Sequence, residues 1–529
     1  MNILSPSRAQ RVGFVRRVTT VLGISMVLGL LPTDVSATEK TSRLWEQFVE
    51  AKRTGAEPIL ADFSYAGFRA GEEPIPDVQA KVYDVTHYGA VPDDDRSDRA
   101  AIIEAIAAAE KNGAGVIFFP KGRYLVNRES DPHNQPIFIK SGGIVLRGEG
   151  SAPGGTEIFM ERQMDPVNPT QLWTSPYLFH FRGKGRTGPL VNVTADARRE
   201  THAVEVADAS GFSAGQWVVL SLENNSPDVV AAAVAPYRPD PAWTSLVEKG
   251  VKVAELHCIA AVEGKRLTFR EPIHPSVKAS EGWQVQRLSA LQEVGVEDIA
   301  FTGNWQEEFV HHKNAIHDGG WSILALTHCV DGWVRRCRFT NTSRVISVAR
   351  SAAITVEDLL LQGKRGHGAV TLEGASHCLV QRVKDEASHW HSSGVTGPCS
   401  GNVFLHGSYP ADTCYESHAA QPRWTLFDNI TGGWMYGRWG GAQFNQPNHL
   451  HGLIFWNYRN IGTGVPGQFH FMRPDDIYGR IIMPYVIGFH GNPQEWVTEE
   501  IAVLESNGQR VKPDSLYLAQ LELRLGKAK

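Results

Sequence analysis

The stretch Val82–Val126, which reads VYDVTHYGAVPDDDRSDRAAIIEAIAAAEKNGAGVIFFPKGRYLV, decides the fold of this chain. It predicts a short strand that runs into Gly89, followed by an acid-rich loop and a helix. After a glycine turn, the apolar run Val116–Phe119 predicts a second strand. The segment is therefore expected to be ordered as strand, acidic loop, helix and strand.

The predicted helix is amphipathic and has recognisable ends. Its apolar residues recur three or four positions apart, at Ile102, Ile103, Ile106 and Ala109. Ser97 or Asp98 is placed to cap the first turn, and Gly113 follows the last turn. The segment therefore predicts a helix with one apolar face.

The order of these elements resembles the opening of the pectate-lyase superfamily, although Asp93-Asp94-Asp95 stands where that family usually has Asp-Gly. Asp62–Pro76 resembles the N-terminal arm of a bacterial, pectate lyase 3-like subgroup, and Ser141–Gly150 resembles an early strand of the coil stack. The resemblance implies an all-β fold, a right-handed single-stranded parallel β-helix with an N-terminal capping helix. It also implies action on polysaccharides outside the cytoplasm.

Short apolar segments repeat along the second half of the chain. From Val334 they begin at Val356, Val380, Val403 and Leu426, at intervals of 22, 24, 23 and 23 residues. This spacing is typical of one β-helix coil, and stacked neighbours bury the apolar face that no single coil buries alone. We predict that Val334, Val356 and Val380 lie in one buried column.

The coil rhythm and its interruptions divide the chain into segments. The 38-residue gap from Val296 to Val334 predicts an inserted loop near Glu307–Gly320. A second interruption predicts an inserted β-rich subdomain, whose polar loop Glu223–Pro241 is expected to overhang the main groove. The predicted segments are a signal peptide (1–37), an N-terminal arm (38–80), the β-helix start and cap (81–189), the inserted subdomain (190–288), coils that carry the site (289–495) and a C-terminal capping tail (496–529).

The N-terminus has the three parts of a signal peptide. Basic residues precede the apolar run Val18–Leu31, and Val35-Ser36-Ala37 is suited to cleavage. Because the run is short for a membrane span, we expect a secreted or periplasmic protein with no stable membrane span after cleavage near Thr38. The formal net charge of −5 argues against non-specific nucleic-acid binding. The expected partner is a polysaccharide or oligosaccharide.

Histidine is concentrated in the coil region, where 14 of the 20 histidines fall between residues 311 and 490. Equivalent positions in neighbouring coils lie about 4.8 Å apart, so residues distant in sequence share one surface. Several histidines fall at strand–loop junctions of successive coils, namely His367, His389, His391, His418, His449 and His451. These junctions are the predicted location of the functional site.

Residues 389–457 resemble the carboxyl half of the same bacterial subgroup. The matching features are His389 before the strand Gly401–Phe404, His418 before Arg423-Trp424, and the late pair Trp456-Asn457. The subgroup often has a second histidine near the arginine, where this chain has Gln421-Pro422. The resemblance implies no single activity, because one fold carries many functions.

The candidate catalytic residues are His389, His418, Arg423, Tyr415 and Glu416, and the candidate substrate-binding residues are His367, Arg438, Trp424, Asn448 and His449. His418 or His389 suits a general base near neutral pH. Arg423 suits an anion clamp, Tyr415 a proton donor and Glu416 an acid/base carboxylate. We expect His389, His418 and Arg423 to converge on one groove; the alternative is a structural turn with hydrogen-bonded polar groups.

The same histidines include two pairs that could bind a metal ion. His389-x-His391 and His449-x-His451 each place two imidazoles on one side of a strand, which can chelate a metal. No third ligand is evident in the sequence, and no cluster of aspartates resembles the calcium site of pectate lyases. We therefore predict no metal and no cofactor, with calcium unsupported by the sequence.

Two chemistries fit an acidic polysaccharide. A lyase must neutralise the uronate carboxylate, remove the C5 proton and protonate the leaving oxygen, and histidines and arginines suit these tasks. A glycosidase needs two carboxylates about 5–9.5 Å apart, and Asp412, Glu416 and Asp428 are the close set. We predict a secreted polysaccharide lyase that acts by β-elimination. A glycoside hydrolase on the same fold and a non-catalytic glycan-binding β-helix protein are the alternatives.

Overall fold

The computed structural model describes residues 40–473 and 479–526. The predicted signal peptide and its cleavage site lie outside these residues. Within the described ranges, no helix is both long and apolar enough to cross a membrane. The chain folds as a right-handed parallel β-helix, which confirms the predicted fold class.

The coils contribute strands to three faces, and the strands of neighbouring coils pair in parallel. The first face consists of Val82–Asp84, Gly115–Phe119, Ile144–Gly148, Gly295–Glu297, Cys329–Arg335, Ala352–Gln362, Leu379–Asp385, Asn402–Leu405, Thr425–Asp428, Leu453–Trp456, Tyr485–Ile487 and Val503–Glu505. The second face consists of Gly122–Val126, Thr156–Met160, Ala300–Gly303, Arg338–Thr340 and the ends of two long first-face strands, followed by Thr431–Gly432, Arg459–Asn460 and His490–Gly491. The third face consists of Ile137–Ile139, Phe179–Arg182, Ser322–Thr327, Arg344–Ala349, Gly368–Glu373, Gly394–Thr396 and Glu416–Ser417.

The predicted column of valines is confirmed. Val334 pairs with Val356, Val356 pairs with Val380, and all three side chains are buried. Beyond Val380 the column continues through Phe404, so the next coil begins one residue later than the predicted segment start at Val403. Val403, Leu405 and Leu426 point outward and are buried against the arm, and therefore this part of the sequence lacks the alternation that fixes the register of a strand.

The helix in the opening stretch spans Arg99–Asn112. Ile102 and Ile106 are buried in the main core together with Ile117 of the first face. Ile103 is 42% exposed and does not belong to the apolar side, contrary to the prediction. That the helix covers the open end of the stack stays a prediction.

The two ends of this helix differ from each other. Gly113 ends it with φ 89°, the left-handed conformation that glycine adopts without strain. Asp98 precedes the first turn, but its carboxylate accepts the backbone N–H groups of Val91 and Leu125 instead of capping the helix. Asp98 therefore ties the acidic loop to the second face.

An antiparallel sheet interrupts the coils where the inserted β-rich subdomain is predicted. Its strands lie between residues 185 and 289. Across the sheet the strands are Ala203–Glu205, Arg266–Phe269, Val251–Glu263, Trp217–Asn224, Gln284–Ser289 and Gly185–Asn192. The loop Glu223–Pro241 contains the helix Pro227–Val234, which packs on Leu450 and Ile482 of the late coils. The prediction that this loop overhangs the groove is therefore wrong, because its buried valines hold it against the coils.

A buried ionic cluster joins the inserted subdomain to the coils. His257 Nε2 lies 3.3 Å from the Glu255 carboxylate, and His257 Nδ1 lies 3.8 Å from Glu271, with no exposed side-chain surface on any of the three. From the coils, the Ser400 hydroxyl donates to Glu255 (2.8 Å), and the His377 ring lies 5.5 Å from that of His257. The charged groups of the cluster are removed from water, and each is stabilised by the opposite charge of its neighbours.

We expect this cluster to make stability depend on pH. Burial favours the neutral ring, but the two carboxylates outweigh it and raise the pKa of His257 from 6.5 to about 9. Burial likewise opposes ionisation of Glu255, but the imidazoles lower its pKa from 4.5 to about 2. The stability from His257 is full below pH 6.5 and lost as pH rises through 9, whereas that from Glu255 is full above pH 4.5 and lost as pH falls through 2.

Urea unfolding across this pH range tests the expectation. The free energy of unfolding should fall between pH 6.5 and 9, and His257→Gln should flatten that part of the profile. An equal slope in the wild type and the variant would show that other groups govern the alkaline loss.

An arm formed by residues 40–80 runs along the outer surface of the first face, from the last coils back to the first. It begins with the strand Lys40–Thr41, which pairs in parallel with Val511–Lys512, and the helix Arg43–Thr54 follows. Farther along, the Phe68 ring packs edge-on against Trp333 at 5.5 Å. The arm therefore contacts coils along most of the stack.

The C-terminal helix spans Leu516–Arg524 and lies beside the arm. Its first turn is held by Asp428, which accepts hydrogen bonds from the Ser515 hydroxyl and the Tyr517 backbone. At its other end, Arg524 donates to Ser64 of the arm. Within the predicted capping tail 496–529, this helix does not lie at the far end of the stack, because it packs between the arm and the first face.

Candidate functional site

A cleft of about 640 Å³ lies over the outer surface of the third face. It is walled by a loop at residues 304–321, by third-face strands and by the glycine-rich loop 437–442. The lining residues include five histidines, which are His311, His312, His367, His391 and His418. They are accompanied by Leu172, Trp173, Asp318, Arg344, Trp390 and Trp439.

The register of the third face brings several of these residues together. Arg344 pairs with Gly368, and Gly368 pairs with His391, so the three positions share one row. Because Gly368 has no side chain, space remains between the arginine and the histidine. His367 precedes that glycine, and its ring lies 5.1 Å from the His391 ring.

The predicted inserted loop is confirmed, and it supplies further histidines to the cleft. It contains a five-residue π-helical turn, Ile316–Gly320. The His311 ring stacks on Trp390 with centroids 4.6 Å apart. It also lies 5.3 Å from the His367 ring and 5.4 Å from the His391 ring. One loop and two coils thus converge on a cluster of three imidazoles.

Hydrogen bonds fix the tautomers of two of these rings. His367 Nδ1 donates to the carbonyl oxygen of Asp318 (3.0 Å), and His391 Nδ1 donates to the carbonyl oxygen of Arg438 (2.8 Å). A carbonyl only accepts, and therefore each Nδ1 carries the proton and each Nε2 presents a lone pair. Burial holds the pKa of both rings well below 6.5, so they are neutral at neutral pH.

His418 forms another wall of the cleft, 5.9 Å from the His391 ring. A Cβ atom at Gly440 would overlap the His418 ring, so the loop 437–442 approaches this closely only with glycine there. The Asn448 amide holds the loop by donating to the Gly440 carbonyl (2.9 Å). Burial lowers the pKa of His418, which leaves a neutral ring that can accept a proton.

Two buried carboxylates lie near the imidazoles. Asp318 lines the cleft, and its carboxylate accepts the His312 backbone N–H (3.0 Å). Glu416 lies behind His391, with its carboxylate 3.2 Å from Nδ1. Burial raises the pKa of Asp318 and raises that of Glu416 well above its ordinary value. Each is therefore easier to protonate than a carboxyl in water.

Cationic and aromatic groups complete the walls. Arg344 Nε donates to the Asp318 carbonyl oxygen (2.9 Å), and its Nη2 is buried without a hydrogen-bond partner. The Arg438 guanidinium lies 3.7 Å from the centre of the Trp390 ring. Trp173 is 68% exposed at the cleft edge. Planar rings and guanidinium groups are suited to sugar faces and carboxylates.

Of the predicted site residues, the cleft contains His367 and His418, with Arg438 and Glu416 directly beside it. His389 is elsewhere: it is buried, and its Nδ1 is bound to Asp385 (2.9 Å). Arg423 faces the inserted subdomain, where it donates to the Lys252 carbonyl (2.8 Å). The predicted convergence of His389, His418 and Arg423 is therefore wrong.

Four further predicted residues have structural positions outside the cleft. Tyr415 is buried among aromatic rings, including Phe427 at 5.1 Å. Trp424 lies beneath Arg199 on the side of the inserted subdomain. His449 is buried, and its Nε2 lies 3.0 Å from the Thr425 hydroxyl. Asn448 is also buried and acts on the cleft only through the loop that it holds.

Five residues of the cleft are not predicted from the sequence, namely His311, His312, Asp318, Arg344 and Trp173. The first three lie on the inserted loop, and no sequence repeat predicts where this loop lies over the coils. The available signal was the adjacent pair His311-His312 inside a predicted insertion next to histidine-rich coils. Arg344 was detectable only from the third-face register, because it pairs with Gly368.

Two family models match separate stretches of the chain. A family model described as rhamnogalacturonase A/epimerase, pectate lyase-like, matches residues 82–165. A second, described as a domain of unknown function (DUF4955), matches residues 388–529. The first match falls on the opening stretch of the coil stack, and the second covers His391, His418 and the glycine-rich loop.

Curated relatives match over short segments. The mannuronan C5-epimerase AlgE4 of Azotobacter vinelandii is 37% identical over 68 residues, which are 13% of this chain and 12% of the relative. AlgE3 of the same organism is 36% identical over 72 residues, 14% of this chain and 4% of the relative. The chain thus matches only a small part of the length of either relative.

Solved structures resemble the chain at low sequence identity. The Gp54 tailspike of Acinetobacter baumannii bacteriophage AP22 is 11% identical with a TM-score of 0.45, over 78% of this chain and 58% of that one. The exopolygalacturonase of Thermotoga maritima is 11% identical with a TM-score of 0.34, over 79% and 81%. The strand pairings show a right-handed parallel β-helix, and the match at residues 82–165 makes its opening stretch similar to the pectate-lyase-like family.

Proposed function

We propose that this protein is a polysaccharide lyase that cleaves a uronate-containing chain by β-elimination in the cleft. One observation supports this choice over hydrolysis. Among the described residues that line the cleft, Asp318 is the single carboxylate, whereas five are histidines. A glycosidase needs two carboxylates across the sugar, and a lyase needs a neutral base beside cationic groups.

The elimination divides into steps that conserve protons. The base takes the proton from C5, the released electron pair forms the C4=C5 double bond, and the C4–O4 bond breaks. The leaving O4 takes a proton from a general acid, so no water is consumed. Negative charge builds up on the C6 carboxylate as the C5 proton leaves, and this charge must be stabilised.

The cleft residues suit these tasks. His418 is the proposed base, because burial keeps its ring neutral at the working pH. Arg344, whose Nη2 is buried without a hydrogen-bond partner, is the proposed contact for the uronate carboxylate. His312 is the proposed proton donor, since its side chain is 54% exposed at the cleft mouth.

The substrate and compartment belong to the same proposal. A uronate polymer outside the cytoplasm fits the predicted signal peptide and the cationic cleft wall. A hydrolase that pairs Asp318 with Glu416 is the second candidate, supported by the raised pKa of Glu416. Binding without cleavage is the third candidate.

A panel of uronate-containing polysaccharides tests the proposal. Purified protein should produce ultraviolet-absorbing unsaturated uronate together with new reducing ends on at least one polymer. Reducing ends without absorbance would replace the lyase by a hydrolase. Retained binding without either product would leave a carbohydrate-binding protein.

A further inference from the structure

We propose that His311, His367 and His391 bind one divalent transition-metal ion of the zinc class within the cleft. The metal site stands on its own geometry, whereas its role in elimination rests on the proposed function. One nitrogen of each ring lies within 4.8 Å of a nitrogen of each of the others. Ligand atoms around a tetrahedral zinc ion lie roughly 3.4 Å apart, so small side-chain rotations close the set.

Hydrogen bonds to the backbone already orient two rings of the cluster. The Nδ1–H groups of His367 and His391 donate to backbone carbonyls, which fixes each ring with an Nε2 lone pair available. This pairing of ring N–H with a carbonyl is typical of metal-binding histidines. His311 Nε2 is buried without a hydrogen-bond partner. An unpaired buried nitrogen is costly, and a bound cation provides the missing contact.

The three rings of the cluster are crowded together, with centroids 5.1, 5.3 and 5.4 Å apart. Facing lone pairs of imidazole rings repel one another unless a cation lies between them. The arrangement is therefore suited to a bound metal ion.

The ligand types select the ion. Three imidazole nitrogens suit zinc and neighbouring first-row metals, whereas calcium takes six to eight oxygen ligands. Three protein ligands leave one position open to the cleft, as in catalytic zinc sites. In the proposed reaction, the ion would bind the uronate carboxylate and withdraw charge from it as the C5 proton leaves.

Another group of possible metal ligands among the described residues serves as an internal comparison. Glu255, His257 and His377 also bring ligand atoms within 4.8 Å. There, however, His257 lies within ion-pairing distance of Glu255 and Glu271, so charges are already balanced without a metal. Metal binding should therefore distinguish the two groups.

Calorimetric titration of chelator-stripped full-length protein with zinc tests the site directly. One ion per chain should bind, with calcium showing no competition. His391→Ala and His311→Ala should each weaken zinc binding by more than about tenfold. His418→Ala, in the same cleft but outside the cluster, and His377→Ala, in the buried group, should retain wild-type affinity. Thermal melting without metal confirms that each variant is folded, and His311→Ala tests the site without altering a coil.

The outcomes separate the metal from the activity. Absence of zinc binding, or its loss in His377→Ala with retention in His391→Ala, would overturn the proposal. Zinc binding without cleavage of any uronate polymer would preserve the metal site and refute the lyase. Cobalt substitution provides a second readout, because a tetrahedral site should give visible absorption that disappears in His391→Ala.

Discussion

Replacing His418 with alanine is expected to lower turnover by about 10²–10⁴-fold, the loss typical of a missing general base. The ring lies in the cleft, it is kept neutral by burial, and the Gly440 loop holds it in place. Because the change removes a ring from a cavity wall and not from the coil core, the melting temperature should stay near that of the wild type. Initial rates of unsaturated-product formation measure the effect.

The matched control is His87→Ala, because His87 is an exposed histidine in a short turn far from the cleft in the fold. It should leave turnover unchanged. A His418→Ala enzyme with full activity would assign the base elsewhere in the cleft. Loss of activity that tracks loss of folded protein would give His418 a structural role only.

Replacing Glu271 with alanine is expected to destabilise the fold by about 3–5 kcal/mol, because it leaves buried positive charge without its partner. Its carboxylate accepts the Arg270 Nε–H (2.7 Å) and the Cys258 backbone N–H (2.9 Å). It also lies 3.8 Å from His257 Nδ1. Urea unfolding of the wild type and the variant at neutral pH measures the difference.

Glu263→Ala provides the control, because it removes an exposed carboxylate from Val251–Glu263, the long strand that carries Glu255 and His257 of the cluster. Surface changes of this kind usually alter the free energy of unfolding by less than about 0.5 kcal/mol. Equal effects of the two substitutions would mean that the cluster is open to water when the protein is folded. The expected contrast therefore tests burial as well as charge.

The coil stack was predictable because its apolar residues repeat at the spacing of one coil. Val334, Val356 and Val380 occupy one column at the intervals read from the sequence. The predicted spacing was wrong by one residue at the next coil, where Val380 pairs with Phe404. Val403, Phe404 and Leu405 are three apolar residues in a row, and all three are buried. The arm and the C-terminal helix cover the outer side of these coils, and a strand buried on both sides has no polar residues to mark its orientation.

The candidate site was predictable only as a region. His367 and His418 follow from histidine enrichment at coil junctions, and both line the cleft. No sequence repeat predicts the position of the inserted loop that carries His311 or of the glycine-rich loop 437–442. Position along a coil also fails to tell whether a side chain points inward, which is why the buried His389 was assigned to the groove.

The arm formed by residues 40–80 makes the fold sensitive to the number of coils. In most repeat proteins each unit contacts only its neighbours, so loss of one unit leaves the rest in register. Here Ser42 at one end of the arm bonds to Glu505, 463 positions away, and Phe68 packs on Trp333 in the middle of the stack. Removing one coil would shorten the stack by about 4.8 Å and misplace every contact beyond it. The contacts of the arm therefore fit only a stack of matching length, so the number of coils and the length of the arm depend on each other.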